Sequence, residues 1–513
     1  MPIPVDKRFR EKEDKAMIKV FSVENMRKSD AYAALHTVPS RELMYRAGKG
    51  VFEAVDWREP VAIVCGGGNN AGDGYVIAKL LHEAGMRCEI ILLSKRFSPD
   101  GAYYFAACLE AGVPVRYWAR DVALSTFGTV VDCIFGTGFR NTVSGVEREA
   151  IDAINFSGAY TVSVDINSGL DGDSGRAEMC VFSDLTVSIG GFKTGHFLNS
   201  AKDVMKRKIN CDIGIDPVEK PYYLITEEDL CPLFAPRRND SHKGTYGYTA
   251  LIGGSRKYVG ALCLAEMANA AMRCGAGVVR LAFPDALYPA IAPRVLESTL
   301  FPLRDDGGEI VFEKEEADAL IRGVRTAAFG MGVGRSGGAR AFLTYLLGNY
   351  TGRLIVDADG LTLLSELERE KIDSAACALI LTPHVKEFSG LTGKGIDEIL
   401  NAPVAAAEEY ARDHRVILLL KGPSTVVTDG ETTYIVDAGC AGMATAGSGD
   451  VLSGILSAVL AYTPDPLLGT AAAAYINGKA GELAEKKSGS ISMIASDTVA
   501  CVRKVVRALE GKN

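Results

Sequence analysis

The sequence predicts two α/β domains in tandem. Three observations carry this. The 513 residues exceed what one hydrophobic core organises, short apolar runs alternate with segments of helical period, and most of those runs end in a glycine-rich polar turn. A hydrophobic content of 48% is ample for burial, and 55 glycines suit the many tight turns such an alternation needs. A net charge of -8 argues against a nucleic-acid partner, which calls for a basic face. No apolar run is long enough to span a bilayer, so no membrane partner is expected. The charged start, MPIPVDKRFREKEDKAMIK, lacks the apolar core of a secretory leader, and its first residues, to about position 15, read as a loose arm. The 12 cysteines include no C-x-x-C pair, and Cys65, Cys133, Cys263 and Cys377 lie in apolar stretches. That pattern predicts reduced, buried thiols in a cytoplasmic protein. The six histidines are scattered, so a histidine-based metal site is not expected.

In the first half, Val23 to Val55 holds two segments of helical spacing, the second with Ser40 as its expected N-cap. Val61 to Cys65 then reads as a short buried strand, Gly66 to Gly74 (GGGNNAGDG) as a turn, and Tyr75 to Ala84 as a helix. Strand, glycine turn and helix form a phosphate-binding arrangement. Two features set it apart from an ordinary redox dinucleotide site. The turn carries two amides and an aspartate, and the next strand, Cys88 to Leu93, ends in Ser94-Lys95-Arg96 rather than an acidic ribose ligand. Two more buried strands follow, Val130 to Phe135 and Thr161 to Ile166, each ending in a polar glycine turn. In an open parallel sheet those ends share one edge, where ligands bind. Asn70, Asp132 and Ser168 would converge there as oxygen donors suited to a hard cation, and Asp165 as a general base.

GGGNNAGDG, VDCIFGTGF and VDINSGLDGDSG resemble the epimerase domain of the bifunctional NAD(P)H-hydrate repair enzymes, over about Met26 to Asp216. Ala71 stands where that family usually has Gly, and Asn167 where it usually has Pro. The resemblance implies a Rossmann-like three-layer sandwich. It implies contact with the hydrated nicotinamide nucleotide by Asn69, Asn70, Ala71, Gly72 and Asp73, by Gly136, Thr137, Gly138, Phe139, Arg140, Asn141 and Thr142, and by Asp165. It also implies potassium (K+) on Asn70, Asp132 and Ser168, and Asp165 as the acid/base that interconverts R and S hydrates.

Pro217 to Pro236 is proline-rich without a long periodic segment, which places the boundary near Thr226, between domains 1–225 and 226–513. Strands are then expected at Tyr248 to Ile252, Val278 to Phe283, Thr326 to Phe329, Leu354 to Asp359, Ala378 to Leu381 and Val416 to Leu420, with helices between them. A long helix is expected from Val259 to Arg273, and two packing helices over Gly469 to Lys487 and Ser496 to Leu509. Lys421-Gly-Pro-Ser-Thr425 after a strand suits an adenosine diphosphate through backbone amides, a hydroxyl and a cation. His384 ends a strand beside the other strand ends, and reads either as a loop cap or as a ligand-facing side chain. In Ala441 to Leu456 (AGMATAGSGDVLSGIL) small residues crowd around Asp450 at the start of an apolar helix. A helix N-terminus favours a phosphate, and a carboxylate there suits removal of a hydroxyl proton ahead of phosphoryl transfer.

GALCLAEMANAAMRCGAGVVRLA, FGMGVGR, VDADGL, LTPHVKEFSGL, KGPSTVV and AGMATAGSGDVLSGIL resemble, in order, the ribokinase-like ADP-dependent NAD(P)H-hydrate dehydratases. Met331 and Val385-Lys386 depart from the usual Pro and Pro-Gly. The resemblance implies a ribokinase-like α/β domain with Ala261, Gly332, His384 and Asp450 facing the hydrate. Lys421, Gly422, Pro423, Ser424, Thr425 and Gly449 would bind ADP, the phosphoryl donor, with Mg2+. It implies a homo-oligomer as well. Two rival readings are an ATP-dependent small-molecule kinase, and a non-catalytic binding module in place of the epimerase.

Overall fold

The computed structural model describes residues 17–140, 142–258 and 272–511. Asn141, Ala261 and most of the helix expected from Val259 lie outside them. The chain divides into two compact units, Met1–Tyr222 and Tyr223–Asn513.

The first unit is built on an all-parallel sheet. Its strands are β1 (Val61–Cys65), β2 (Cys88–Leu92), β3 (Val115–Tyr117), β4 (Thr129–Cys133), β5 (Tyr160–Val164), β6 (Leu185–Ile189) and β7 (Lys208–Cys211). They lie in the order β3-β2-β1-β4-β5-β6-β7, so the winding direction reverses between β1 and β4. Helices α1 (Val23–His36), α2 (Ser40–Ala54), α3 (Asn69–Glu83), α4 (Pro99–Glu110) and α5 (Gly145–Asn155) accompany it. Alternate residues of β1 enter two separate cores. Val61, Ile63 and Cys65 pack with Tyr75 and Ile77 of α3, whereas Ala62 and Val64 pack with Ile151 and Ile154 of α5. Both faces of the sheet are therefore covered at β1, which is why Val61–Cys65 reads as an unbroken apolar run.

Two local expectations are corrected. Pro39, not Ser40, occupies the cap of α2, and Ser40 is the first helical residue. The glycine-rich segment after β1 is mostly helix, since α3 starts at Asn69 on a Gly68 cap. Glycine disfavours helix, but packing decides here. A Cβ on Gly72 would lie 2.5 Å from the Met44 side chain, and one on Gly74 2.9 Å from Cys133 Sγ. The two glycines let α3 approach α2 and the sheet.

The second unit has strands β8 (Tyr248–Gly253), β9 (Val278–Pro284), β10 (Thr299–Leu303), β11 (Val324–Met331), β12 (Arg353–Val356), β13 (Ala378–Leu381), β14 (Ile417–Leu420), β15 (Thr425–Thr428) and β16 (Thr433–Val436). Their order is β10-β9-β8-β11-β12-β13-β14-β15-β16. Pairing is parallel up to β14 and antiparallel for the last two. Helices α6 (Gly337–Asn349), α7 (Asp359–Ser365), α8 (Val385–Thr392), α9 (Pro403–His414), α10 (Ser448–Tyr462), α11 (Pro466–Ser488) and α12 (Ala495–Glu510) include the two terminal packing helices, each longer than expected. Helix α10 is buried along nearly its whole length from Val451 to Ala461, so its position is fixed by packing. No helix among the described residues is long and apolar enough to cross a membrane.

Candidate active sites

The carboxyl ends of β1, β4 and β5 open into a cleft of about 900 Å³. The start of α3 supplies Asn69, Asn70 and Asp73, and the turn after β4 supplies Gly136 to Arg140. Asp165 follows β5 with φ 65°, a left-handed conformation that costs a non-glycine residue energy. Lys193, whose side chain is 1% exposed, meets Asp165 Oδ1 at 2.5 Å and donates to the Ile189 carbonyl at 2.8 Å. The Thr137 amide donates to Asp165 Oδ2 at 3.3 Å. His196 Nε2 lies 2.7 Å from the Asp165 carbonyl, and burial, with Lys193 nearby, pushes that imidazole down to about 4, so it is neutral. Burial opposes ionisation of Asp165, but the Lys193 ammonium outweighs it and holds the carboxyl below its ordinary range. Asp73 goes the other way, raised well above the usual carboxylate range by burial and then by the Asp165 charge. Two carboxyls in one cleft are thus pushed in opposite directions, Asp165 toward the ionised form and Asp73 toward the protonated one, the arrangement that divides acid from base.

Ala71 and Gly72 are buried against neighbouring elements and do not line this cleft, and Thr142 is exposed away from it. Arg140 is tied to Asp171 and Asp173 at 3.0 and 3.2 Å.

Asp132 and Ser168 bond directly, and Asn70 reaches the Phe135 carbonyl that Ser168 also contacts. Asp132 Oδ1 accepts from the Ser168 hydroxyl at 2.5 Å and the Ile134 amide at 3.2 Å, and Oδ2 from the Ser163 hydroxyl and the Ser168 amide at 2.9 Å. Asn70 Nδ2 donates to the Phe135 and Val164 carbonyls, while its Oδ1 is buried without a partner. Asp132 is fully buried and no described cation pairs with it, so burial raises its pKa. The orphaned Asn70 amide oxygen and the Phe135 and Val164 carbonyls beside it, next to a buried carboxylate that has four hydrogen-bond donors and no ion-pair partner among the described residues, fit a cation bound through oxygen.

In the second unit the carboxyl ends of β12 and β14 meet the N-terminus of α10. Asp357, 1% exposed, receives Lys421 Nζ at 3.0 Å and the Ser453 hydroxyl at 2.9 Å. Glu387 of α8 lies 3.8 Å from the same ammonium. Burial alone would depress Lys421, but Asp357 and Glu387 outweigh it and raise it. A Cβ on Gly449 would sit 3.4 Å from Asp357 Oδ2 and 3.6 Å from Lys421 Nζ, so the first turn of α10 rests on this ion pair. Asp450 stands in that turn, and burial first, then the Asp357 charge, push its carboxyl up to about 6. The Ser448 hydroxyl beside it is buried without a partner. Gly332 holds φ 63° in the turn after β11.

The structure distributes the remaining predicted residues unevenly. His384 caps α8, its Nδ1 accepting from the Glu387 amide at 3.1 Å while its own amide donates to Glu387 Oε2. The Ser424 hydroxyl points inward to Asp437 at 2.8 Å, leaving Gly422 and Pro423 as the exposed part of that segment. Lys421 is committed to Asp357, not free at the surface. Sequence reasoning gave no role to Lys193, His196, Asp357 or Glu387. Asp357 had a visible signal, a strand running into a carboxylate. Lys193 had only the short segment Phe192-Lys193 after a buried strand.

A model described as NAD(P)H-hydrate dehydratase matches residues 249–503, and one described as YjeF-related protein N-terminus matches residues 40–195. The bifunctional NAD(P)H-hydrate repair enzyme of Hyperthermus butylicus is 34% identical over 92% of this chain and 89% of its own. That of Thermofilum pendens is 31% identical over 96% and 97%. The chain belongs to the bifunctional NAD(P)H-hydrate repair enzymes. In this family an epimerase and a nucleotide-dependent dehydratase share one chain, which removes the plain kinase as a rival. Among solved structures, an ADP/ATP-dependent NAD(P)H-hydrate dehydratase from Bacillus subtilis, co-crystallised with ATP and Mg2+, is 26% identical with a TM-score of 0.48. It corresponds to 56% of this chain and 98% of that one.

Proposed function

We propose that the second unit dehydrates the S hydrate with ADP and that the first unit supplies S hydrate from R. Asp450, at the first turn of α10, removes the hydroxyl proton of the hydrate. The terminal phosphoryl group of ADP passes to that oxygen, leaving AMP, and the amides of Gly447 to Gly449 stabilise the charge on the group in flight. The phosphate ester then leaves as inorganic phosphate by elimination across the ring, restoring NAD(P)H. The observation that carries this reading is Asp450 itself, whose raised carboxyl at a helix N-terminus suits a base working near neutral pH. Mg2+ would enter with the nucleotide and screen its phosphates.

In the first unit Asp165, whose ionised form Lys193 favours, and Asp73, whose protonated form burial favours, serve as base and acid on the two hydrates. Asn70, Asp132 and Ser168 would hold K+, which would supply the missing counter-charge to Asp132 and fix the turn that carries Ser168.

The test is a mixture of R and S NADPH hydrates with ADP, with ATP and with no nucleotide, followed by the near-ultraviolet absorbance of NADPH. Complete recovery with ADP is expected. Recovery that stops at the S fraction would refute the epimerase half, and none with either nucleotide would refute the dehydratase half.

A further inference from the structure

Four cationic side chains line the cleft of the first unit: Arg27, Arg96, Arg140 and Lys193. Three are neutralised within the protein. Arg27 pairs with Glu24 at 2.8 Å, Arg140 with Asp171 and Asp173, and Lys193 with Asp165. Arg96 is exposed and has no carboxylate partner among the described residues. Its neighbour Lys95 is directed elsewhere, lying 5.6 Å from the Tyr117 ring.

The position of Arg96 follows from the sheet. β1 and β2 pair in register to Cys65 and Leu92, so the turn after β1 and the turn after β2 lie side by side. A Cβ on Gly67 would sit 3.1 Å from Ser94 Oγ and 3.3 Å from Arg96 Cβ, which measures that closeness. The Ser94 hydroxyl accepts from the Arg96 amide at 3.0 Å, fixing the backbone that carries the guanidinium. On the other side of β1 lies β4, and beyond it β5 with Asp165. A dinucleotide laid across such an edge spans the point where winding reverses. With its reacting ring at Asp165 and its diphosphate over the N-terminus of α3, its adenosine ribose falls at the end of β2. An acidic residue there would favour a free ribose 2′-hydroxyl, whereas an unpaired arginine favours a 2′-phosphate.

We propose that Arg96, with Ser94, binds the ribose 2′-phosphate and makes the epimerase prefer the NADPH hydrate over the NADH hydrate. This rests on the epimerase reading of the cleft. Asp100, the nearest cleft carboxylate by sequence, is neutralised by Arg41 at 3.2 Å and does not oppose the phosphate. The diphosphate is common to both substrates, so discrimination isolates the 2′ position.

The test uses Arg96→Gln in the full-length chain, with R-to-S conversion of each hydrate measured by chromatography. The expected result is a KM for NADPH hydrate raised about tenfold or more, with kcat within twofold and NADH hydrate within twofold in both constants. An equal rise for both substrates would place the guanidinium on the diphosphate and overturn the proposal, as would no change for either. Calorimetric titration of adenosine 2′,5′-bisphosphate against AMP adds a readout independent of turnover. Wild type should gain affinity from the 2′-phosphate and Arg96→Gln should lose that gain. If the gain depends on Arg96 but no epimerisation occurs, the phosphate subsite stands and the epimerase reading falls. If epimerisation occurs and the gain survives the substitution, the reading stands and the proposal falls.

Discussion

Asp450→Asn separates chemistry from stability in one substitution. Burial first, and then the Asp357 charge, raise Asp450 from 3.8 to about 6. A base must be ionised to act, so with that pKa about 90% of the protein is competent at pH 7 and roughly 10% at pH 5. The dehydration rate should fall roughly tenfold over that interval. Asparagine has the same shape and no basicity, so kcat should drop roughly 100- to 10,000-fold and lose this pH dependence. Stability should move in the opposite direction. The folded pKa lies above the unfolded one, so ionisation opposes folding. That penalty is absent below the unfolded pKa, grows as pH rises, and is complete above about 6. Asparagine removes it, which should stabilise the fold at pH 8 by roughly 1–3 kcal/mol and leave it unchanged near pH 3. The assays are dehydration of purified S hydrate with ADP from pH 5 to pH 8, and thermal melting of both proteins at pH 8 and pH 3. A variant keeping more than a tenth of wild-type kcat, or wild-type activity flat between pH 5 and pH 7, would refute the reasoning.

Asp165→Asn should abolish R-to-S conversion and spare dehydration of pure S hydrate; loss of both activities in folded protein would break the assignment of one reaction to each unit. Lys193→Met strands the buried Asp165 carboxylate, so unfolding should become easier by about 3–5 kcal/mol and epimerisation should be lost, as read by denaturant titration and chromatography. Gly330→Ala places a Cβ 2.0 Å from the Asp357 carbonyl at φ 124°, which should cost at least about 3 kcal/mol and lower dehydration by shifting Asp357. Replacing K+ by Li+ should slow epimerisation at least several-fold and leave dehydration of S hydrate unchanged, measured on the two reactions separately.

Much of this protein is legible locally. Val61 to Cys65 and Ala378 to Leu381 are strands at the residues where the apolar runs lie, because a strand covered on both faces favours apolar side chains throughout. Asn70, Asp132 and Ser168 stand at or just beyond the carboxyl ends of the strands Val61–Cys65, Thr129–Cys133 and Tyr160–Val164, so the sequence pattern already places them at one sheet edge. The Asp450 turn is legible in the same way, as small residues and one acid at the start of an apolar helix.

The tertiary structure decided what each charged group is paired with. Asp165 meets Lys193 28 positions along the chain, and Asp357 meets Lys421 64 positions along. Nothing in the local pattern of either partner marks the other, because parallel crossovers bring strand ends together without a fixed sequence spacing. The same holds for the start of α3, where the glycines that read as a turn are helical because α2 and the sheet approach too closely for a side chain. Sequence alone thus determined where the strands end and which polar groups stand there. Only the packing of distant segments determined which of those groups are ionised, since that depends on burial and on neighbours that the chain brings in from afar.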